Sequence, residues 1–176
     1  MNTEEISLVK WPAESRTALD ELYAAADQSE CLVQMALPLD PERTRSYRRN
    51  ILRSRTEEGL RFLCCAVMLD GKIAGKIEAT AHSEEEAEID IILRKDCTGR
   101  GIGRKAVAAF HEMLKEKHFA SSVRAYVSAG NEACIRLLER SGYTRGRRFT
   151  ADVLIPGAGS YVIREVSGYE YVFSLI

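Results

Sequence analysis

No window of this 176-residue chain approaches the run of about 18 apolar residues that a membrane-crossing helix needs. The opening MNTEEISLVKW has no apolar block of the signal-peptide kind. The expectation is a chain neither exported nor embedded in a membrane. Charge of one sign is not in excess either. Lys and Arg number 25 against 26 Asp and Glu, a net charge of −1, whereas a dedicated nucleic-acid binder carries a basic surplus. There is no CxxC pair. Cys31, Cys64, Cys65, Cys97 and Cys134 make an odd set without disulfide-frame or zinc spacing. They point to free thiols in a reducing compartment, the cytoplasm, and no metal is expected. Internal repeats and the GxxxxGK[ST] phosphate loop are also missing. At this length one domain, residues 1–176, is expected.

What is present is concentrated in AEIDIILRKDCTGRGIGRKA, from Ala87 to Ala106. β-Formers run from Ile89 to Leu93, followed by a charged turn, Arg94-Lys95-Asp96. Three alternating glycines follow, Gly99, Gly101 and Gly103. Beyond them Ile102, Ala106, Val107, Phe110, Met113 and Leu114 recur at helical spacing. The reading is strand, glycine-rich loop, helix. Glycine takes positive φ without a Cβ clash and lets backbone approach a ligand. The first turn of a helix adds free N–H groups and partial positive charge, so the pattern is an anion site, most often for phosphate. Gly101-x-Gly103-x-x-Ala106 also fits a loose dinucleotide pattern. That motif needs an acid ending a second strand about 20 residues on. Here that distance falls at Ser121–Ser122, with no acid in reach. A turn that binds nothing is the plain alternative.

Val123 to Val127 reads as the next strand. Asn131 to Tyr143, NEACIRLLERSGY, reads as a helix with Asn131 at the N-cap and Gly142 at C′. At this point the chain resembles the GCN5-related N-acetyltransferase (GNAT) superfamily. That family has a strand, a Q/R-x-x-G-x-G/A loop and a helix. A further strand and an N-x-x-[SA]-x-x-L-[YL]-E-K-x-G-[FY] helix follow. The resemblance covers about residues 62 to 145, and the rest by element order. Thr98 stands where the family usually has Gln or Arg. Leu138 stands where many members have the Tyr that protonates the departing thiolate. IRLLERSGY is more similar to the branch that acetylates α-amino groups of ribosomal proteins.

In order, Ile6 to Trp11 reads as a strand and Pro12 precedes a helix of about 16 residues bearing Leu19, Leu22, Tyr23 and Ala26. Cys31 to Leu39 is a connector. Asp40-Pro41-Glu42 starts a second helix to about Arg55, with Arg43, Arg45, Arg48, Arg49, Arg53 and Arg55. These form a solvated face or a surface for an acidic or ribosomal partner. Phe62–Leu69 and Lys72–Ala81 form a hairpin through Asp70-Gly71. Strands at Arg147–Ile155, Tyr161–Val166 and Tyr169–Ile176 close the chain. The fold class expected is α/β (α+β): a GNAT-type mixed, mostly antiparallel sheet of about seven strands with helices on both faces.

The resemblance implies an acetyl-CoA-dependent N-acetyltransferase with no metal. It acts by direct transfer to a primary amine, a protein N-terminus or a small amine. The alternative is a catalytically weak acyl-CoA-binding sensor. By resemblance the coenzyme lies along Ile91, Ile92 and Leu93, on Thr98, Gly99, Arg100, Gly101, Ile102, Gly103 and Arg104, and against Asn131 and Cys134. A bulge would splay the fourth strand from Val123–Val127. Strand alternation puts Glu88 and Asp90 on one face. Either could take the amine's proton, or both could simply face solvent; Glu78 is a third candidate. Leu138 cannot donate a proton, so Cys134 is the candidate acid, or else a small packing residue. Tyr126 and Tyr143 are fallback donors. His82, His111 and His118 fall on a loop and a polar helix face, as surface residues without a role. The strand-rich C-terminus could pair two copies.

Overall fold

The alternating and helical patterns resolve, in a computed structural model, over residues 5–11, 16–26, 61–81, 83–156 and 161–176. The strands are β1 (Ile6–Lys10), β2 (Phe62–Leu69), β3 (Lys72–Ala81), β4 (Glu86–Leu93), β5 (Ser122–Ser128), β6 (Thr144–Pro156) and β7 (Tyr161–Ser174). The α-helices among the described residues are α1 (Arg16–Ala25), α2 (Ile102–Glu116) and α3 (Glu132–Arg140). All seven strands join one sheet in the order β1-β2-β3-β4-β5-β7-β6, and only β4 with β5 is parallel. The Cys31–Leu39 connector, the arginine-rich second helix and His82 lie outside the described residues.

Local chemistry explains the boundaries. Asp70 and Gly71 both take positive φ, 48° and 75°, as a two-residue primed turn requires, and Leu69 then pairs with Lys72. Asn131 caps α3 by accepting from the Cys134 N–H at 3.1 Å, and Gly142 ends it at φ 88°. The first helix is described over Arg16–Ala25, and residues 12–15, where it was expected to begin, lie outside the described residues. One expectation needs correction. The two C-terminal strands are one, β7, running through Ser167-Gly168. Gly168 is what permits this. A Cβ there would run into the Val127 carbonyl oxygen and the Phe149 ring.

Each face of the sheet has its own core. On one, α2 buries Ile102, Ala106, Val107, Phe110 and Leu114 against Val67, Ile77, Ala87, Ile89, Val123 and Tyr171. Phe110 is fully buried, a setting in which replacement by Ala costs about 3–5 kcal/mol. On the other, α1 lays Leu19, Leu22 and Tyr23 on Trp11, Cys64, Ala66 and Ile92. These two layers hold β4 at the centre of the sheet.

Candidate active site

The site begins where strand pairing fails. β4 and β5 pair only at Glu86–Ser122, Ala87–Val123 and Glu88–Arg124, although β4 runs on to Leu93 and β5 to Ser128. Beyond Glu88 the two strands part, and the β5-facing edge of β4 carries no strand partner among the described residues. The ladder between β3 and β4 is unbroken from Gly75–Leu93 to Ala81–Ala87. The expected bulge in β4 is therefore absent. Register shifts lie instead in the β2–β3 ladder, between Val67 and Met68, and in the β6–β7 ladder, between Arg145 and Arg148.

The glycine loop lies just past the open end of β4. Lys95–Cys97 make one 3₁₀ turn, closed by the Thr98 N–H and hydroxyl donating to the Lys95 carbonyl at 3.3 and 2.8 Å. Gly99 and Gly101 stand at φ 73° and 80°, and a Cβ at either would meet nothing within 4 Å. Positive φ explains both glycines, and the space beside them is open. Gly101 caps α2 without a side-chain hydrogen bond, and the first turn of the helix contains no acid. Its N–H groups and positive helix end thus face that open space. Gly103 serves packing instead: its Cβ position lies 3.2 Å from Leu93 Cδ1 and 3.3 Å from Leu137 Cδ2.

The side chains expected here take different positions. Ile92 is buried in the α1-side core, Ile102 is 1% exposed in the α2-side core, and Ile91 and Leu93 are half-buried. Ile91, Ile92 and Leu93 lie on the part of β4 that does not pair with β5. Arg100 is exposed and donates to the Asp96 carbonyl at 3.0 Å. Arg104 is exposed on α2. Asp96 binds Arg94 at 3.0 Å, which holds its carboxyl below the usual range.

Glu88 and Asp90 do share a face with Ile92, the α1 side, Glu88 exposed and Asp90 half-buried. Register places Asp90 opposite Glu78, and Glu78 opposite Cys64. Glu78 is buried and accepts from Lys76 Nζ at 2.5 Å. Lys76 is also buried, at 4% exposure. Burial is the largest single effect and works against its charge, but Glu78 foremost, with Tyr23, Asp90 and Cys64 behind it, together outweigh burial and hold the ammonium above its ordinary range. Burial pushes the Cys64 thiol up as well. Farther along that face, Arg124 binds Glu86 and reaches Glu170 at 2.5 Å, and the Tyr126 hydroxyl lies 3.4 Å from Glu170.

On the α3 side, Leu138 is 2% exposed and belongs to the core. Cys134 is partly exposed in the first turn of α3 and packs at the edge of that core. Tyr143 is buried, and burial keeps its hydroxyl protonated far above the ordinary range. That hydroxyl is 2.8 Å from His111 Nε2. His111 is therefore not a surface residue: it is 4% exposed and stacks on Phe173 with ring centroids 4.2 Å apart. Burial, and then the Lys115 charge, lower its pKa to about 4. His118 is exposed as expected. Spacing held a clue to His111, four residues after Val107 and three before Leu114, on the edge of the apolar stripe. Lys76 gave no such signal.

The comparisons with known proteins agree with this fold. The family described as acetyltransferase (GNAT) domain matches residues 8–144. The chain belongs to this family of acetyltransferase enzymes. No curated protein matches it. Among solved structures it is similar to RimL, a ribosomal L7/L12 α-N-protein acetyltransferase in complex with coenzyme A. Identity is 17% and the TM-score 0.72, over 98% of this chain and 95% of that one. A ribosomal-protein-alanine N-acetyltransferase from Brucella melitensis is 18% identical, with a TM-score of 0.70 over 96% and 99% of the two chains. The yncA protein of Salmonella typhimurium, solved with its cofactor acetyl-CoA, is 15% identical, with a TM-score of 0.71 over 98% and 95%. At these identities the likeness is one of fold. No helix among the described residues is long and apolar enough to cross a membrane.

Proposed function

We propose that the chain, as one domain over residues 1–176, transfers acetyl from acetyl-CoA directly to a primary amine, a protein N-terminus or a small amine. The observation that carries this reading is the parting of β4 from β5 beside the uncapped start of α2. The groove offers an unpaired strand edge at one end and an anion site at the other. A peptide-like pantetheine arm fits the first as an added strand does. A pyrophosphate fits the second. The open space at the Cβ positions of Gly99 and Gly101 is the room such a group needs. Bound acetyl-CoA supplies an activated thioester. The chain's own groups do the rest: a backbone N–H of the open β4 edge polarises the carbonyl. Glu88, with Asp90, takes the amine's proton. Cys134 gives a proton to the departing sulfur.

Relatives solved with coenzyme A or acetyl-CoA support the donor, and two named for ribosomal-protein acetylation support a protein N-terminus as acceptor. Free Cys64, Cys65, Cys97 and Cys134 suit a cytoplasmic setting. β6, the edge strand at the C-terminal side of the sheet, is where two copies could pair. The sensor reading has one observation behind it: Leu138, at the usual donor's position, is buried in the core. Free-thiol release with a panel of N-terminal peptides and small amines separates the two. Turnover with any amine sustains the transferase. Tight acetyl-CoA binding without turnover across the panel refutes it and leaves the sensor.

A further inference from the structure

One guanidinium sits where the sheet opens. Arg124 lies on β5 opposite Glu88, at the last rung over which β4 and β5 pair. Alternation turns it, with Glu86, Tyr126 and Glu170, to the α1 side, away from the core that holds Ala87, Val123, Ala125 and Tyr171. Its partners come from both flanking strands. Nη2 binds the Glu86 carboxylate on β4. Nη1 binds the Glu170 carboxylate on β7 at 2.5 Å and donates to the Tyr126 hydroxyl at 3.2 Å. Neither carboxylate stands directly across from Arg124: Glu86 pairs in register with Ser122, and Glu170 with Tyr126. The guanidinium therefore reaches back along the paired part of β4, and forward along β7 beside the part of β5 that has left β4.

Glu170 is itself anchored. It is buried, and Arg147 on β6 approaches it at 3.5 Å. The row Glu86, Arg124, Glu170, Arg147 thus crosses β4, β5, β7 and β6 with charges alternating in sign.

Placement and cost both set this row apart from an ordinary surface pair. β5 is laddered to β7 over its whole length, from Ser122–Ser174 to Ser128–Gly168. Its pairing with β4 covers three rungs. Were that ladder to run on in register, Ile89 would meet Ala125 and Asp90 would meet Tyr126, and the groove would close. Strand edges with unpaired N–H and C=O groups are templates for further pairing. The Glu86–Arg124–Glu170 tie fixes β4 to the β5–β7 unit at the one rung before the opening. A planar guanidinium, with donors in a rigid fork, holds such a geometry better than a flexible ammonium. The cost is that Arg124 Nε is buried and makes no hydrogen bond. An unmet buried donor lowers stability, and buried ion pairs are often replaced by apolar side chains without loss. Stability alone does not account for an arginine here.

We propose that Arg124 is a positioning residue for acetyl transfer: by tying Glu86 on β4 to Glu170 on β7, it fixes the angle at which β4 and β5 part. That angle sets the width of the groove, and so the place of the thioester relative to the amine. The inference rests on the acetyl-CoA reading above.

The test compares wild type, Arg124→Met, Arg124→Lys and Glu86→Gln in kcat, coenzyme A affinity by calorimetry, amide hydrogen exchange and melting temperature. In Arg124→Met the amides of residues 89–93 should exchange about tenfold faster, as the opening loses its fixed angle. Coenzyme A should bind about tenfold more weakly, and kcat should fall about 10- to 100-fold, the range that small misplacements of reacting groups produce. Arg124→Lys keeps a cation that reaches one carboxylate at a time, so it should recover part of each loss. Glu86→Gln keeps an acceptor on β4 and removes only its charge, so it holds the fold if Arg124→Met does not, and it should show the same pattern at smaller size. A merely stabilising role would lower the melting temperature of these variants and leave kcat, measured well below it, at the wild-type value; that result would overturn the inference. So would a kcat loss with exchange at residues 89–93 unchanged. Wild type that turns over no amine would refute the acetyl-transfer reading itself, and this inference with it.

Discussion

Acidification should unlock the contact between α2, β7 and Tyr143, and His111 sets the pH at which it does so. The imidazole is buried, stacked on Phe173, and 2.8 Å from the Tyr143 hydroxyl. Lys115 adds a like charge that Glu112 only partly offsets, and Arg104 and Arg140 border a cavity that adjoins the ring. Its pKa is lowered to about 4, against an ordinary value near 6.5. The unfolded chain therefore binds more protons than the folded chain between those two values, and stability rises with pH across that window. The contribution is complete above about pH 6.5. It fades as pH falls, by about 1.4 kcal/mol at pH 5.5 and about 2.5 kcal/mol at pH 4.5. These are upper values, because solvent in the cavity screens the ring. Urea unfolding of wild type and His111→Phe from pH 7.5 to 4.5 isolates the effect. Phe keeps the stacking but strands the Tyr143 hydroxyl, a cost of about 1–3 kcal/mol at every pH. Above pH 6.5 wild type should be the more stable. The difference should then shrink, and reverse where the charging cost exceeds the lost hydrogen bond. A difference independent of pH would refute the reasoning.

Gly101→Asp should abolish acetyl-CoA binding in calorimetry, while Gly101→Asn, which tolerates positive φ and adds no charge, should lose less; equal losses would remove charge as the cause. Glu88→Gln should lower kcat more at pH 7 than at pH 9, where more of the amine is already neutral, and a constant ratio across pH would count against Glu88 as base. Cys134→Ala should lower kcat about 10–100-fold with coenzyme affinity kept, and Cys134→Ser should retain much of the rate; Ala matching wild type would withdraw Cys134 as the acid. Lys76→Met should cost about 3–5 kcal/mol in urea unfolding at pH 7, since it leaves Glu78 buried without its cation, and a loss under 1 kcal/mol would show that the pair is not needed.

Much of the fold was legible because its signals are local. Asp70-Gly71 makes a primed turn in any context that accepts positive φ. Asn131 caps a helix through a contact three residues away. Gly99 and Gly101 take left-handed φ, and the stripe from Ile102 to Leu114 is a property of one helix. From these the strand, loop and helix of the proposed anion site could be placed without coordinates. The groove could not, since it exists because β4 and β5 stop pairing at Glu88 and Arg124. That is a relation between residues more than 30 positions apart. Gly168 was misleading for a related reason. It looks like a break in a strand, and only the Val127 carbonyl on β5 shows why a continuous strand needs glycine there. His111, read from a helical wheel, sits at the margin between wet and dry. Phe173 and Tyr143, from a distant strand and turn, decided that it is dry, and so neutral at ordinary pH. Spacing within one element is determined by the sequence. Burial, register and the company a charge keeps are set by segments far apart in the chain, and only the tertiary structure brings them together.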